Sequence, residues 1–202
     1  MTQTTTKPQV QGRILIENVR VAFAHGLFTA SAPPNSNGQP AYSAQFVFPP
    51  THKSVGALQK LIQEAGVRQW KDQAAATLKA AAANGKLCLR NGDDKANYEG
   101  YAGNLYLSAR TKTRPTIIDQ NKQPITEESG LLFSGCWVNV MVDIFPYIKG
   151  SKGVGAGLKV VQLVKPDTAW GGGAPVDVDS EFGEVEQTAQ AASEFGDLFG
   201  IK

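Results

Sequence analysis

The sequence predicts a small, mainly β protein: a closed or nearly closed five-stranded barrel with one helical segment and a disordered acidic C-terminal tail. Three observations support this fold class. Stretches rich in β-branched and apolar residues recur between residues 13 and 165 and are separated by clusters of Gly, Pro and Asn. Only residues 55–83 carry apolar side chains at helical spacing. The last 31 residues hold seven acidic side chains and one lysine, a composition that favours solvent over a packed core.

The first two strands are separated by a long loop. Residues 13–23, with the sequence RILIENVRVAF, are rich in β-branched and apolar residues and predict the first strand. Residues 24–40 contain several prolines and asparagines and cannot continue it. The second strand is predicted over residues 41–48 and ends at Pro49-Pro50.

The helical segment follows the second strand. Apolar residues recur at spacings of three and four from Val55 onwards, and either Thr51 or Ser54 is a candidate N-cap. Ala-rich residues 74–83 prolong the helix, and Asn84-Gly85 supplies a terminating signal. Gly66 is a candidate break, which would divide the segment into two helices.

Strands return in the second half of the chain. We expect principal strands at residues 104–112, 132–148 and 156–165, and a small hairpin formed by 115–118 and 123–125. The Gly-rich residues 149–155 lie between two strands and lack the ending of a phosphate-binding loop, so they predict a hairpin turn. Five principal strands match the OB-type barrel in number, although the helix lies earlier in the chain than is usual for that fold.

The net charge of +2 hides two opposite charges. Residues 1–171 hold 19 basic and 11 acidic side chains, a net charge of +8, whereas residues 172–202 carry a net charge of −6. The cut falls in the Gly171-Gly172-Gly173 stretch. We therefore divide the chain into a disordered leader (1–12), a basic OB-like domain (13–170) and a flexible acidic tail (171–202). A basic body indicates a polyanionic partner.

Residues for catalysis, metal binding or membrane insertion are few. Cys88 and Cys136 cannot form a disulfide framework, and the two histidines do not complete a four-ligand zinc site with them. Asp93-Asp94 is the one acidic pair that suggests a catalytic metal, but it also matches a turn. No apolar run approaches the ~18 residues that span a bilayer, and the leader lacks an apolar export signal. We predict a cytoplasmic protein without cofactor, metal, membrane contact or enzymatic activity.

Aromatic and basic side chains share one face of the later strands. In the strand at 104–112, Tyr106, Arg110 and Lys112 alternate with apolar residues, and Arg114 follows. In the strand at 132–148, Cys136 belongs to an apolar core set, whereas the rings at 137, 145 and 147 lie out of phase with it. These rings either stack on unpaired bases, while cations follow the phosphates, or fill a second small core under the helix.

The chain resembles the single-stranded DNA-binding proteins of tailed bacteriophages, an OB-fold family with an acidic C-terminal tail. The resemblance rests on the order and spacing of segments between residues 13 and 165, namely YSAQFVFP (42–49), LRNGDD (89–94), YEGYAGNLYLSARTKTRP (98–115), SGCWVNVMV (134–142) and residues 149–165. It implies non-enzymatic coating of DNA in phage replication and recombination, with the tail contacting replication proteins. The family tail commonly ends on an aromatic residue, whereas here Gly200-Ile201-Lys202 follows Phe199.

These observations predict a sequence-independent single-stranded DNA-binding protein whose tail competes with DNA and binds partners. The residues expected to contact nucleic acid are Tyr98, Tyr101, Tyr106, Arg110, Lys112, Arg114, Trp137, Tyr147, Lys149 and Lys152. The residues expected to bind a protein partner are Glu194, Phe195, Asp197 and Phe199. Binding of duplex DNA and formation of a homodimer are left open. The alternatives are a virion structural or assembly protein and, less favoured, a metal-dependent DNA-processing enzyme.

Overall fold

The computed structural model of the chain describes residues 12–32 and 38–171, which belong to one compact unit that ends at Gly171. The strands are β1 (Arg13–Ala22), β2 (Tyr42–Phe48), β3 (Leu89–Asn91), β4 (Leu105–Thr111), β5 (Thr116–Ile118), β6 (Trp137–Tyr147) and β7 (Gly153–Lys165), and the helices are α1 (Val55–Trp70) and α2 (Ala74–Ala83). The predicted leader and tail lie, except for Gly12 and Gly171, outside these residues and stay predictions.

Five strands close into a ring in the order β1, β2, β4, β7, β6 and back to β1. Every neighbouring pair in the ring is antiparallel except β4 and β7, which run parallel and share two residue pairs, Ala109 with Ala156 and Arg110 with Gly157. β3 extends the ring beside β4, and β5 pairs with β7. The prediction of a mainly β, five-stranded barrel with one helical segment after its second strand is confirmed.

The interior of the barrel is apolar because alternate strand residues point inward. On β6 this set begins just before the strand and comprises Cys136, Val138, Val140, Val142 and Ile144, all of which are buried. Leu58, Ile62 and Ala65 of α1 pack against the same core. Full burial of an aliphatic side chain contributes about 1.5–3 kcal/mol. The predicted core role of Cys136 is confirmed, and Cys88 is buried as well.

The helical segment is interrupted, but the predicted break at Gly66 is wrong. Gly66 is buried inside α1, and a Cβ atom added there would lie 2.7 Å from Leu78 Cδ1 of α2. The helix ends at Trp70 instead, and Lys71 has a φ of 49°. A glycine in mid-helix therefore serves close packing of the two helices. No helix in the described ranges combines the length and apolar composition needed to cross a bilayer.

Three strand boundaries differ from the prediction. Residues 132–136 are not a strand, because Gly135 has a φ of 105° and packs against the Thr168 carbonyl, so β6 begins at Trp137. Residues 123–125 form only a bridge between Pro124 and Ile118, since proline donates no hydrogen bond to a ladder. β7 begins at Gly153, which confirms that the Gly-rich segment contains a hairpin turn.

Candidate nucleic-acid interface

The outer faces of β2 and β4 form a polar surface beside the apolar interior. Three cross-strand pairs carry it, namely Ser43 with Arg110, Gln45 with Ser108 and Val47 with Tyr106. Arg110 is exposed and Ser108 is half-buried, but the ring of Tyr106 is covered. The predicted alternation along β4 is confirmed, whereas the expected exposure of Tyr106 is not observed.

A cleft of about 380 Å³ lies over the seam between β4 and β7. We call it the seam cleft. Its charged and aromatic side chains come from three separate segments of the chain and are Lys86, Arg90, Arg110, Phe145 and Tyr147. Because β4 and β7 pair at this seam, cations from the β3–β4 side of the barrel lie close to the aromatic rings of β6.

Phe145 has an exposed aromatic ring because the strand beside it carries glycine. The ring lies across Gly155 and Gly157 of β7, and a Cβ atom added at Gly155 would lie 3.0 Å from Phe145 Cζ. Because Gly155 and Gly157 have no side chains, the Phe145 ring packs directly on the backbone of β7. Phe145 keeps 44% of its surface exposed, which makes it a ring face open to solvent at the edge of the seam cleft.

Hydrogen bonds fix the other side chains of the cleft. Tyr147 donates its hydroxyl hydrogen to the Lys86 carbonyl over 3.1 Å. Arg90 donates from Nε to the Leu87 carbonyl over 2.7 Å, and Arg110 donates from Nη2 to the Gln39 carbonyl over 2.9 Å. None of these bonds neutralises the guanidinium charges. Arg90 and Arg110 are thus each oriented by a neutral carbonyl and keep their charge for an anionic partner.

A row of four aromatic rings continues the surface away from the cleft. The aromatic ladder consists of Phe23, Tyr98, Tyr101 and Tyr106, whose successive ring centroids are 5.6, 6.0 and 5.3 Å apart. Phe23 and Tyr98 are exposed, whereas Tyr101 and Tyr106 are buried in a small cluster outside the barrel. Arg90 joins the two regions, since its guanidinium carbon lies 6.0 Å from the Tyr106 ring centroid.

Lys95 lies at the centre of the aromatic ladder. Its Nζ atom is 5.2–5.7 Å from the centroids of all four rings and donates a hydrogen bond to Gln45 Oε1 over 3.2 Å. The same Gln45 oxygen accepts the hydroxyl of Tyr101 over 2.7 Å. Burial, followed by the charge of Arg90, lowers the pKa of Lys95, and burial raises the pKa of Tyr101.

In the LRNGDD segment, Asn91, Gly92 and Asp93 shape the turn that carries Lys95. Asn91 Oδ1 accepts the Asp93 N–H over 3.1 Å, and Asp93 Oδ1 accepts the Gly103 N–H over 2.7 Å. Gly92 is pressed against the Tyr101 carbonyl, which a Cβ atom at this position would overlap. The residues that the structure describes hold no group of three or more His, Cys, Asp or Glu side chains suited to a metal. Asp93 serves the turn that carries Lys95.

Trp137 lies apart from the seam cleft. It begins β6, whereas Tyr147 ends it, and ten residues of extended strand span about 33 Å. Arg20 lies 5.3 Å from the Trp137 ring centroid and 4.5 Å from that of Trp170. The Trp137 indole nitrogen donates to Asp167 Oδ2 over 2.6 Å. Trp137 is therefore half-buried in a cation–π cluster whose other tryptophan, Trp170, packs against the cluster that contains Tyr101 and Tyr106, and it does not meet Arg110 or Tyr147.

The remaining predicted contact residues lie on the surface. Lys112 and Arg114 follow β4 and are exposed, as are Lys149 and Lys152 in the turn between β6 and β7. Lys112 donates to Gln39 Oε1 over 3.0 Å, beside the Arg110 contact. The predicted partner-binding residues Glu194, Phe195, Asp197 and Phe199 lie outside the described residues.

Comparison with known proteins assigns the chain to a family. The model of the Enterobacter phage Enc34 ssDNA-binding protein family matches residues 12–192. The chain belongs to this family. A curated relative, "Putative protein p50" of Acyrthosiphon pisum secondary endosymbiont phage 1, is 36% identical over 189 residues, covering 88% of this chain and 96% of the relative.

Solved structures resemble the fold of this family member. A single-stranded DNA-binding protein from bacteriophage Enc34 has a TM-score of 0.63 and 23% identity, and the match covers 86% of this chain and 96% of that one. The same phage protein in complex with ssDNA has a TM-score of 0.60 and 24% identity, covering 81% and 96%. The OB-type barrel is confirmed. The family comprises ssDNA-binding proteins, which are not enzymes, so the prediction of a non-enzymatic protein is confirmed by family membership.

Several residues of this surface were not predicted from the sequence as site residues. They are Phe23, Lys86, Arg90, Lys95 and Phe145. Phe145 shares the strand phase of Trp137 and Tyr147, and this alternation was a usable signal. Lys95 and Phe23 lie in irregular segments far apart in sequence, where periodicity carries no information about contact.

Proposed function

We propose that this protein binds single-stranded DNA without sequence preference along the outer face of β2 and β4 and through the seam cleft. The observation that carries the proposal is the meeting of the exposed Phe145 ring with Tyr147, Arg90 and Arg110 in one cleft. Unpaired bases stack on rings of this kind for about 1–3 kcal/mol each, while cations follow the backbone. Relatives whose names state ssDNA binding support this reading.

The predicted contact residues take different roles in this proposal. Tyr98 and Tyr147 offer rings, and the cations along the path of the strand are Lys86, Arg90, Arg110, Lys112, Arg114, Lys149 and Lys152. Tyr101 and Tyr106 support the surface from beneath, because both are almost fully buried. Trp137 lies at the far end of β6, where Arg20 and Trp170 link it to the cluster that contains Tyr101 and Tyr106.

Membership of a phage protein family supports a proposal for the biological setting. We infer that the protein coats single-stranded DNA during phage replication and recombination, in the cytoplasm of the infected host. The relative at 36% identity is itself a phage protein. The acidic residues after Gly171 compete with DNA for the basic face, and Glu194, Phe195, Asp197 and Phe199 bind a replication protein. The charge split of +8 and −6 supports this competition.

Equilibrium binding distinguishes this function from an assembly role. Labelled oligo-dT should bind more tightly than a duplex of equal length, and log affinity should fall with log salt. About six phosphate contacts correspond to a slope near −4 for a single strand. The R110Q variant should reduce the slope, whereas K60Q, a control on α1, should not. Absence of binding, or large assemblies formed without DNA, would reject the proposal.

Removing residues 172–202 tests the competitor role of the tail. The truncated protein loses a charge of −6, so its affinity for oligo-dT should rise, most strongly at low salt. A control in which the seven acidic side chains of that segment become Asn or Gln should reproduce the increase. Unchanged or weaker binding by both variants would rule out competition.

A further inference from the structure

Among the residues that the structure describes, no carboxylate pairs with the positive charge of Lys95. Its ammonium has three N–H donors, and one of them bonds to Gln45 Oε1 at 3.2 Å. Asp93 directs Oδ1 to the Gly103 N–H instead. Within residues 12–32 and 38–171, Lys95 forms no ion pair with a carboxylate. Aromatic rings orient the ammonium through their negative faces, but they do not neutralise it.

The chemistry around this ammonium fits an anion joined to a flat, apolar group. Phe23 and Tyr98 flank Lys95 at 5.5 and 5.7 Å and are 43% and 46% exposed. Their rings meet edge to face, with an interplanar angle of 68°, so each has a face that the other does not cover. A nucleotide combines the two required features, a phosphate and a base.

The backbone of Phe23 adds an independent observation. Phe23 follows the last residue of β1 with φ 57° and ψ 44°, in the left-handed region. Bulky residues rarely adopt this conformation, and such strained positions concentrate at binding and catalytic sites. Asparagine or glycine would relieve the strain. The protein keeps a phenylalanine here, and its ring is exposed beside Lys95, where it adds little to the core.

We propose that Lys95, Phe23 and Tyr98 form a one-nucleotide subsite in which Lys95 binds a backbone phosphate and the two rings hold its unpaired base. The inference rests on the proposed function. It extends the DNA path along the outer face of β2 and β4 to the end that lies away from the seam cleft. The subsite selects single strands, because a base paired in a duplex cannot present its face to either ring. Lowering of the Lys95 pKa by burial accords with an amine that gains from an anionic partner.

Two variants separate the phosphate contact from the stacking contact. K95Q removes the charge and keeps a long polar side chain, and it should weaken oligo-dT binding roughly fivefold at low salt and reduce the salt slope by about 0.7. F23N suits the left-handed backbone and removes the ring. It should weaken binding roughly fivefold with no change in slope, while its thermal stability stays equal to or above that of the unaltered protein. K60Q, in an exposed i,i+4 pair with Glu64, is the matched control.

Fluorescence anisotropy over a salt series measures the affinity and the salt slope of each variant, and thermal unfolding shows whether the variant is folded. An unchanged slope in K95Q, or unchanged affinity in F23N, overturns the subsite. The unaltered protein provides the separate check on the proposed function: if it shows no salt-dependent binding of oligo-dT, that function fails as well. If it binds with the expected slope and K95Q matches it, only the subsite is wrong.

Discussion

Replacing Phe145 with alanine is the most informative single change in the seam cleft. The ring lies on Gly155 and Gly157 and is 44% exposed, so only part of its burial free energy is lost on substitution. A fully buried Phe contributes about 1.5–3 kcal/mol, and half-burial therefore corresponds to roughly 1 kcal/mol. The barrel should remain folded, with a modest fall in melting temperature.

The effect of F145A on DNA binding should be larger than its effect on folding. Loss of one stacking ring costs about 1–3 kcal/mol per base, which is roughly a 5- to 150-fold weaker affinity, since 1.4 kcal/mol is tenfold. The salt slope should not change, because no cation is removed. Anisotropy of labelled oligo-dT measures both quantities.

A matched control makes the comparison decisive. Leu15 is 49% exposed on β1 and lies outside the cleft, so L15A removes a similarly exposed apolar side chain. It should leave affinity unchanged. If F145A keeps the affinity of the unaltered protein, or if L15A weakens binding to the same extent, the stacking role of Phe145 is refuted.

Three substitutions test the fold that supports the interface. G92A should destabilise the protein by more than about 2 kcal/mol in urea unfolding, because its Cβ would overlap the Tyr101 carbonyl; a neutral effect would contradict the close approach. G56A in α1 meets nothing within 4 Å and should stabilise by about 0.5–1 kcal/mol, so a loss of stability would count against the assigned helix. Asp143 has a lowered pKa because Arg13 donates hydrogen bonds to it and Lys159 lies nearby. The ionised carboxylate therefore stabilises the folded protein above the ordinary carboxyl pKa, and this stabilisation disappears as the pH falls through the pKa of Asp143 in the folded state. D143N should therefore cost up to about 1 kcal/mol near neutral pH, where solvent screens the pair, and nothing in strong acid; a difference independent of pH would refute this.

Much of the fold could be predicted from local patterns. Strands β1, β2 and β4 were predicted to within two residues, because alternation and flanking prolines define them. The break at Lys71 was missed, since a positive φ at lysine has no sequence signature and Gly66 was the more obvious candidate. The start of β6 was misplaced because Gly135 is fixed by contact with residue 168, over thirty positions away.

The candidate site was less accessible to sequence reasoning. Alternation correctly assigned Tyr106 and Arg110 to one face, but it could not show that Tyr101 covers Tyr106. The seam cleft depends on a parallel pairing between β4 and β7, which no short-range pattern encodes. Lys95 and Phe23 meet only because the 91–104 turn folds back over the end of β1. Charge arithmetic indicated the class of partner, whereas the positions of the contacts required the tertiary structure.

Photocrosslinking of oligo-dT to the full-length protein, followed by peptide mapping, tests the location of DNA most directly. A strand that runs from Phe23 and Tyr98, across the outer face of β2 and β4, to the seam cleft predicts crosslinks in the peptides that contain Phe23, Tyr98, Phe145 and Tyr147. Excess unlabelled single strand should abolish them, and excess duplex should not. Crosslinks concentrated on α1 and α2, with none at these four rings, would contradict the account.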